Sequence, residues 1–252
     1  MNRKASFNGV ADAIKGLSDE EQVAIVESRG ALKAFAAKLV VEKRSKIYIV
    51  HLDDQDVSEK FQPLVPKYRQ LAMELGYSGP IAWQVRAGFT LKTHASQAGP
   101  CYKKFQYLQD WNLKNDEPTK DSLVFWIPRL LMGSKGKSVN GQMKLLAETR
   151  SRLELPEHHL KSFGSAGDLS GLIFAPFKRT GERVPLNGDW TRTDTFHADG
   201  DRLGLGDFDR AGLHCHGWHW DEDGNDSLGC FPLGVEESGG GSLRNLILAT
   251  RS

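Results

Sequence analysis

Asn187-Gly188-Asp189-Trp190, Asp199-Gly200 and Gly212-Leu213-His214-Cys215-His216-Gly217 mark the stretch whose reading decides how this chain folds. Asn-Gly and Asp-Gly are strong two-residue hairpin signals, because the favoured hairpin turns need positive φ at their central positions. Together with Thr180-Gly181 they punctuate residues 163–233, a segment rich in glycine, aspartate, tryptophan and short apolar runs. That texture predicts a mostly β region, with strands near 172–177, 192–196 and 212–216. A final apolar segment, 243–248, follows Gly239-Gly240-Gly241 and is expected to be a closing strand.

Upstream the pattern is different. Ser18-Asp19-Glu20-Glu21 has the form of a capping box, and Val23, Ile25, Val26, Leu32, Phe35 and Leu39 recur at helical spacing. A helix is therefore expected to about residue 43. Residues 46–52 are β-branched and aromatic and predict a strand, as do 81–85. Residues 61–75 predict an amphipathic helix interrupted by Pro63 and Pro66 and ended by Gly76, and 140–153 predict another. Residues 93–121 are polar and punctuated, and 122–132 are apolar. The expected fold class is α+β. A helix-rich α/β region, 1–158, whose role (binding, targeting or regulatory) the sequence does not reveal, precedes a β-rich domain, 159–252.

The bulk numbers narrow the function. The 252 residues are 39% hydrophobic, ordinary for a globular protein, and a net charge of +1 gives no global attraction to nucleic acid or an anionic membrane. No apolar run approaches the ~20 residues of a membrane-spanning helix. Met1-Asn2-Arg3-Lys4 is followed by no apolar signal core, so synthesis in the cytoplasm is expected, with any action in the periplasm or on the cell wall needing another route of delivery. Cys101, Cys215 and Cys230 are too few for a disulfide framework. Between Asp194 and Asp226 only Arg202 and Arg210 oppose many acids, which argues against a phosphate-rich substrate there. Gly133-Ser134-Lys135-Gly136-Lys137 does not satisfy the phosphate-loop pattern.

On a 212–216 strand, Leu213 and Cys215 face the core while His214 and His216 share the opposite face, next to Gly217. Cys230 follows Gly229 in a loop that also holds Ser227. A nucleophilic thiol needs a base and converging backbone amides. His216 is a candidate base, the Gly229-Cys230 step a candidate source of amides, and Ser227 a candidate orienting group.

His216-Gly217 followed by Ser227-Leu228-Gly229-Cys230 resembles the signature of L,D-transpeptidase catalytic domains. Phe208-Asp209-Arg210-Ala211-Gly212-Leu213 resembles the lead-in of small transpeptidase-like domains in antibacterial effectors. The resemblance covers about the last ninety residues. It implies an L,D-transpeptidase-like β-sandwich with Cys230 as nucleophile and His216 as base. The Gly217 carbonyl would hold the His216 ring, and amides around Gly229 would form the oxyanion hole. The implied activity is acyl transfer or hydrolysis on peptidoglycan stem peptides through a thioester, without a cofactor. His214, Trp218, Trp220 and Arg210 would contact substrate. Phage lysis or a secretion machine would deliver the protein to the cell wall, and an immunity protein is a further expected partner. Leu228 and Phe231-Pro232 depart from the usual residues around the cysteine.

Two alternatives stay open. Zinc could use His214, His216 and His219 in a hydrolase, or the scaffold could be a non-catalytic phage or wall-binding protein. Asp221-Glu222-Asp223-Gly224-Asn225-Asp226 does not meet the calcium-loop pattern and predicts a solvated acidic turn. His158-His159 is expected to be an exposed pair at a helix end with no role, Cys101 is expected to be structural, and His51, His94 and His197 have none assigned.

Overall fold

The computed structural model describes residues 48–218, 221, 222 and 224–237. The helix expected before residue 43, the strand expected over 243–248, and His219 and Trp220 lie outside them. The compact unit begins at Tyr48. It is mixed α and β, in the order β1 (Ile49–Leu52), α1 (Val65–Glu74), β2 (Ala82–Val85), α2 (Leu91–Ala98), β3 (Leu113–Lys114), β4 (Ser122–Trp126), α3 (Val139–Arg152), α4 (Ala166–Thr180), β5 (Trp190–His197), β6 (Arg202–Asp209), β7 (Gly212–Trp218), β8 (Leu228–Gly229) and β9 (Leu233–Glu237).

One sheet has the order β1-β2-β4-β9, antiparallel throughout. Strands from both sides of residue 158 share it, so the compact unit runs across the change of texture there. β2 and β4 are buried along their whole length. Alternate residues enter different cores: Trp83, Val124 and Trp126 pack with α4 and the second sheet, while Ala82, Leu123 and Phe125 pack with α1 and α3. A strand buried on both faces needs a continuous apolar run, which is what residues 123–127 provide.

The second sheet has the order β3-β5-β6-β7, antiparallel, with β8 running parallel to the start of β5. The Asp199-Gly200 turn closes the β5–β6 hairpin, with Gly200 at φ 104° and the His197 amide donating to Asp201 at 2.7 Å.

The strand expected over 172–177 is a helix. Ser165 caps α4, its hydroxyl accepting from the Asp168 amide at 3.0 Å and donating to the Asp168 carboxylate at 2.7 Å. Gly181, at φ 78°, ends the helix, so Thr180-Gly181 is a helix stop and not a hairpin turn. Leu169, Leu172, Ile173 and Phe174 are fully buried. A short apolar run has no period that separates a buried helix from a buried strand, and the caps decide between them. The polar stretch 93–121 also holds more order than its composition suggests, because Thr90 caps α2 by accepting from the Thr93 amide.

Candidate functional site

The alternation expected on β7 is present: Leu213 and Cys215 are buried, His214 is partly buried and His216 is exposed. The His216 Nδ1 lies 2.5 Å from the Gly217 carbonyl. His214 stacks on Tyr102 at a centroid distance of 4.1 Å and meets the edge of Trp190 at 6.3 Å. Gly206, between Trp190 and His214 in the register, leaves room for that edge contact: a Cβ there would lie 2.6 Å from the Trp190 Cα. Arg210 is exposed at the β6–β7 turn, and Trp218 ends β7.

Cys230 goes elsewhere. β8 pairs with β5, and β5 and β6 separate it from β7. Three strand spacings, roughly 14 Å along the sheet, therefore lie between the Cys230 segment and His216. The Cys230 side chain is fully buried in the core shared by α1 and α3. Its amide donates to the Ser134 hydroxyl at 3.2 Å, and Gly229 packs so closely that a Cβ would sit 2.7 Å from the same oxygen. The Ser227 hydroxyl bonds to Asn225 Oδ1 at 2.6 Å, closing the 225–227 turn. His216 and Cys230 are not brought together, and the Leu228 and Cys230 amides donate to the Asn225 carbonyl and the Ser134 hydroxyl.

Burial pushes the Cys230 thiol up to about 12 and Cys101 likewise, and raises Cys215 as well. All three cysteines of the native protein are therefore expected to react slowly with a thiol reagent at a pH of about 8, and rapidly once unfolded. Fast stoichiometric labelling of Cys230 in the native state would contradict its burial.

The acidic turn is not wholly solvated. The Asp221 carboxylate meets Arg202 Nε at 3.0 Å and the buried Arg192 Nη1 at 3.3 Å. The neighbouring basic loop docks on the same turn, the Gly136 amide donating to the Asn225 carbonyl at 3.0 Å, while Lys135 pairs with Asp189, just before β5, at 2.9 Å.

Convergent ionisable chemistry lies instead at the edge of the first sheet. After α3, Leu155-Pro156 turns the chain, and the His159 amide donates to the Pro156 carbonyl at 2.9 Å. The Leu160 amide donates to the Leu233 carbonyl at 2.8 Å and pins this turn to β9. His158 Nε2 and His159 Nε2 then lie 3.2 and 3.1 Å from the same oxygen, Glu236 Oε1. Among the described residues this is where three side chains able to hold a metal ion converge, their ligand atoms within 4.8 Å of one another.

The other nitrogen of His159, Nδ1, bonds to the Tyr68 hydroxyl at 3.0 Å, and Tyr68 stacks on Phe125. Gly234 lies two residues before Glu236 and so on the same face of β9. A Cβ at Gly234 would sit 2.1 Å from the Tyr68 hydroxyl and 2.6 Å from His159 Nδ1. The glycine makes the Tyr68–His159 contact possible. His159 is fully buried, and burial pulls its imidazole down to about 4, so the ring is neutral near pH 7. The His158 side chain is 55% exposed and Glu236 14%, which leaves one side open to solvent.

The expectation that His158-His159 is an exposed pair is thus corrected for His159, which is buried. The sequence shows the doublet after a proline and a Gly-x-Glu in a strand, but nothing in it joins residue 159 to 236 without the topology. Two imidazoles and a carboxylate with an open side are the donor set of a catalytic zinc site. A hydroxyl on the far ring nitrogen would fix the tautomer that aims Nε2 at the ion. No family model, no curated protein and no solved structure matches this chain.

Proposed function

We propose that this protein holds one divalent transition-metal ion, zinc by its donor set, on His158, His159 and Glu236, and that the centre serves hydrolysis. The observation that carries this reading is the pair of imidazole nitrogens on one carboxylate oxygen, with the buried ring braced by Tyr68. A bound zinc supplies Lewis acidity and lowers the pKa of water in its open position. The chain's own part is to hold His159 neutral, to orient it through Tyr68, and to leave His158 and Glu236 accessible. A purely structural Tyr–His–Glu hydrogen-bond relay would share these distances but would gain nothing from zinc.

Zinc should therefore raise the melting temperature of the metal-free protein near pH 7, and Glu236→Gln should abolish the rise. The effect should fade on acidification. His159 is held below its ordinary value of about 6.5, so the unfolded chain takes up the proton first. Its contribution to stability is complete above pH ~6.5 and is lost as pH falls toward about 4, by about 3 kcal/mol at most. Zinc affinity should fall over the same window, because the metal needs the neutral ring. An unchanged melting temperature with zinc at pH 7, or one equally raised in Glu236→Gln, would reject the centre.

A second reading, cysteine acyl transfer on peptidoglycan stem peptides, draws support from the His216 ring on the Gly217 carbonyl. It requires the Cys230 sulfur to leave the core. Activity on isolated sacculi that disappears in Cys230→Ala would favour it.

A further inference from the structure

A concave feature lies beyond the far end of β4. The loop Gly76-Tyr77-Ser78-Gly79, Pro128-Arg129 and the C-terminal end of α4 with residues 180–184 enclose a pocket of about 280 Å³. Arg129, Arg179 and Arg183 line it, against one carboxylate, Glu182. Arg69, Arg152, Arg192 and Arg202 are all paired with carboxylates, whereas among the described residues none lies within ion-pair distance of these three.

Two of the three lie near aromatic rings. The Arg129 guanidinium lies 5.5 Å above the Tyr77 ring, and its Nη1 donates to the Pro128 carbonyl at 2.9 Å. The Arg183 guanidinium lies 5.3 Å from the Phe177 ring and 5.5 Å from Phe208. Tyr77 folds back over Gly79, where a Cβ would meet its hydroxyl at 2.3 Å. A guanidinium within about 6 Å of an aromatic ring is attracted by the ring face, and this attraction uses none of its N–H donors. Unpaired, pre-positioned guanidinium groups around a small cavity match a compact multivalent anion, and their forked donors suit phosphoryl oxygens.

We propose that this pocket binds the phosphoryl group of a small soluble phosphate monoester. The volume is at the small end for ligand sites and suits a phosphate with a short organic portion. None of its lining residues belongs to the proposed metal centre, so the two readings can fail separately. Calorimetric titration of the full chain with inorganic phosphate and with glycerol phosphate tests it, with acetate as the carboxylate control.

Both phosphates should bind saturably and more weakly as salt rises, and acetate should not. Arg129→Gln and Arg183→Gln should each weaken binding about tenfold or more, the loss expected for a hydrogen bond to a charged group. Arg210→Gln, an exposed arginine elsewhere, and Glu236→Gln should leave it unchanged. Melting temperatures like the parent's would show that the variants are folded, and a second pair, Arg129→Lys and Arg183→Lys, serves if they are not. The proposal is overturned if neither phosphate saturates, if acetate binds as tightly, or if the arginine variants bind like the parent.

Discussion

Gly234→Ala is expected to lower stability by about 3 kcal/mol, the upper end of what one added methyl costs in a packed interior. The new Cβ would stand 2.1 Å from the Tyr68 hydroxyl and 2.6 Å from His159 Nδ1. Neither neighbour retreats easily. Tyr68 is fully buried and stacked on Phe125, and the His159 turn is pinned to β9 through Leu160 and Leu233. Separating the two rings leaves a buried hydroxyl and a buried ring nitrogen without each other, a loss of about 1–3 kcal/mol by itself. The variant should also lose zinc-dependent stabilisation, because His159 can no longer hold its orientation. Urea denaturation with and without zinc checks both effects. A near-parental midpoint together with a retained zinc effect would mean that the contact is not the constraint described.

Asp221→Ala is expected to cost about 3 kcal/mol, toward the lower end for breaking a buried ion pair, because Asp221 keeps part of its side chain in water. Arg192 is 1% exposed, and Asp221 is a carboxylate partner to both it and Arg202. Removing that charge takes a carboxylate from the buried Arg192, while Arg202 keeps Asp194. Glu222→Ala, one residue on and exposed, is the control and should change stability by no more than about 0.5 kcal/mol. Comparable denaturation midpoints for the two variants would contradict the assignment of Asp221 as the anchor of this turn.

Much of the architecture was legible in local chemistry. α1 ends before Gly76 as expected but starts at Val65, with Pro66 in its first turn and not as an interruption; the β-branched runs became β1 and β2, and 140–153 became α3 almost residue for residue. Asp199-Gly200 closes a hairpin, and Leu213, His214, Cys215 and His216 alternate as a half-buried strand must. These readings concern neighbours within a few residues, where periodicity and turn chemistry act. The α4 segment escaped because its apolar run is short and its Ser165–Asp168 cap is a two-residue signal amid turn-like flanks.

The candidate site was less legible, for a topological reason. Placing Cys230 beside His216 assumed that the chain returns to β7 after the acidic turn, whereas β8 adds in parallel to β5 and turns the sulfur into the other core. His159 and Glu236 lie 77 residues apart and meet because β9 completes the first sheet beside β4. Such pairing depends on which edges are free, and composition carries no record of that. The acidic turn shows the same limit on a smaller scale, since its solvated appearance changes once Arg192 and Arg202 are seen to face Asp221.

Anomalous diffraction at the zinc edge from zinc-soaked crystals would locate the ion directly. One peak is expected within about 2.0–2.2 Å of His158 Nε2, His159 Nε2 and a Glu236 carboxylate oxygen, with Tyr68 still bonded to His159 Nδ1. A peak at His214 and His216 instead, or none on these three residues at saturating zinc, would contradict the centre.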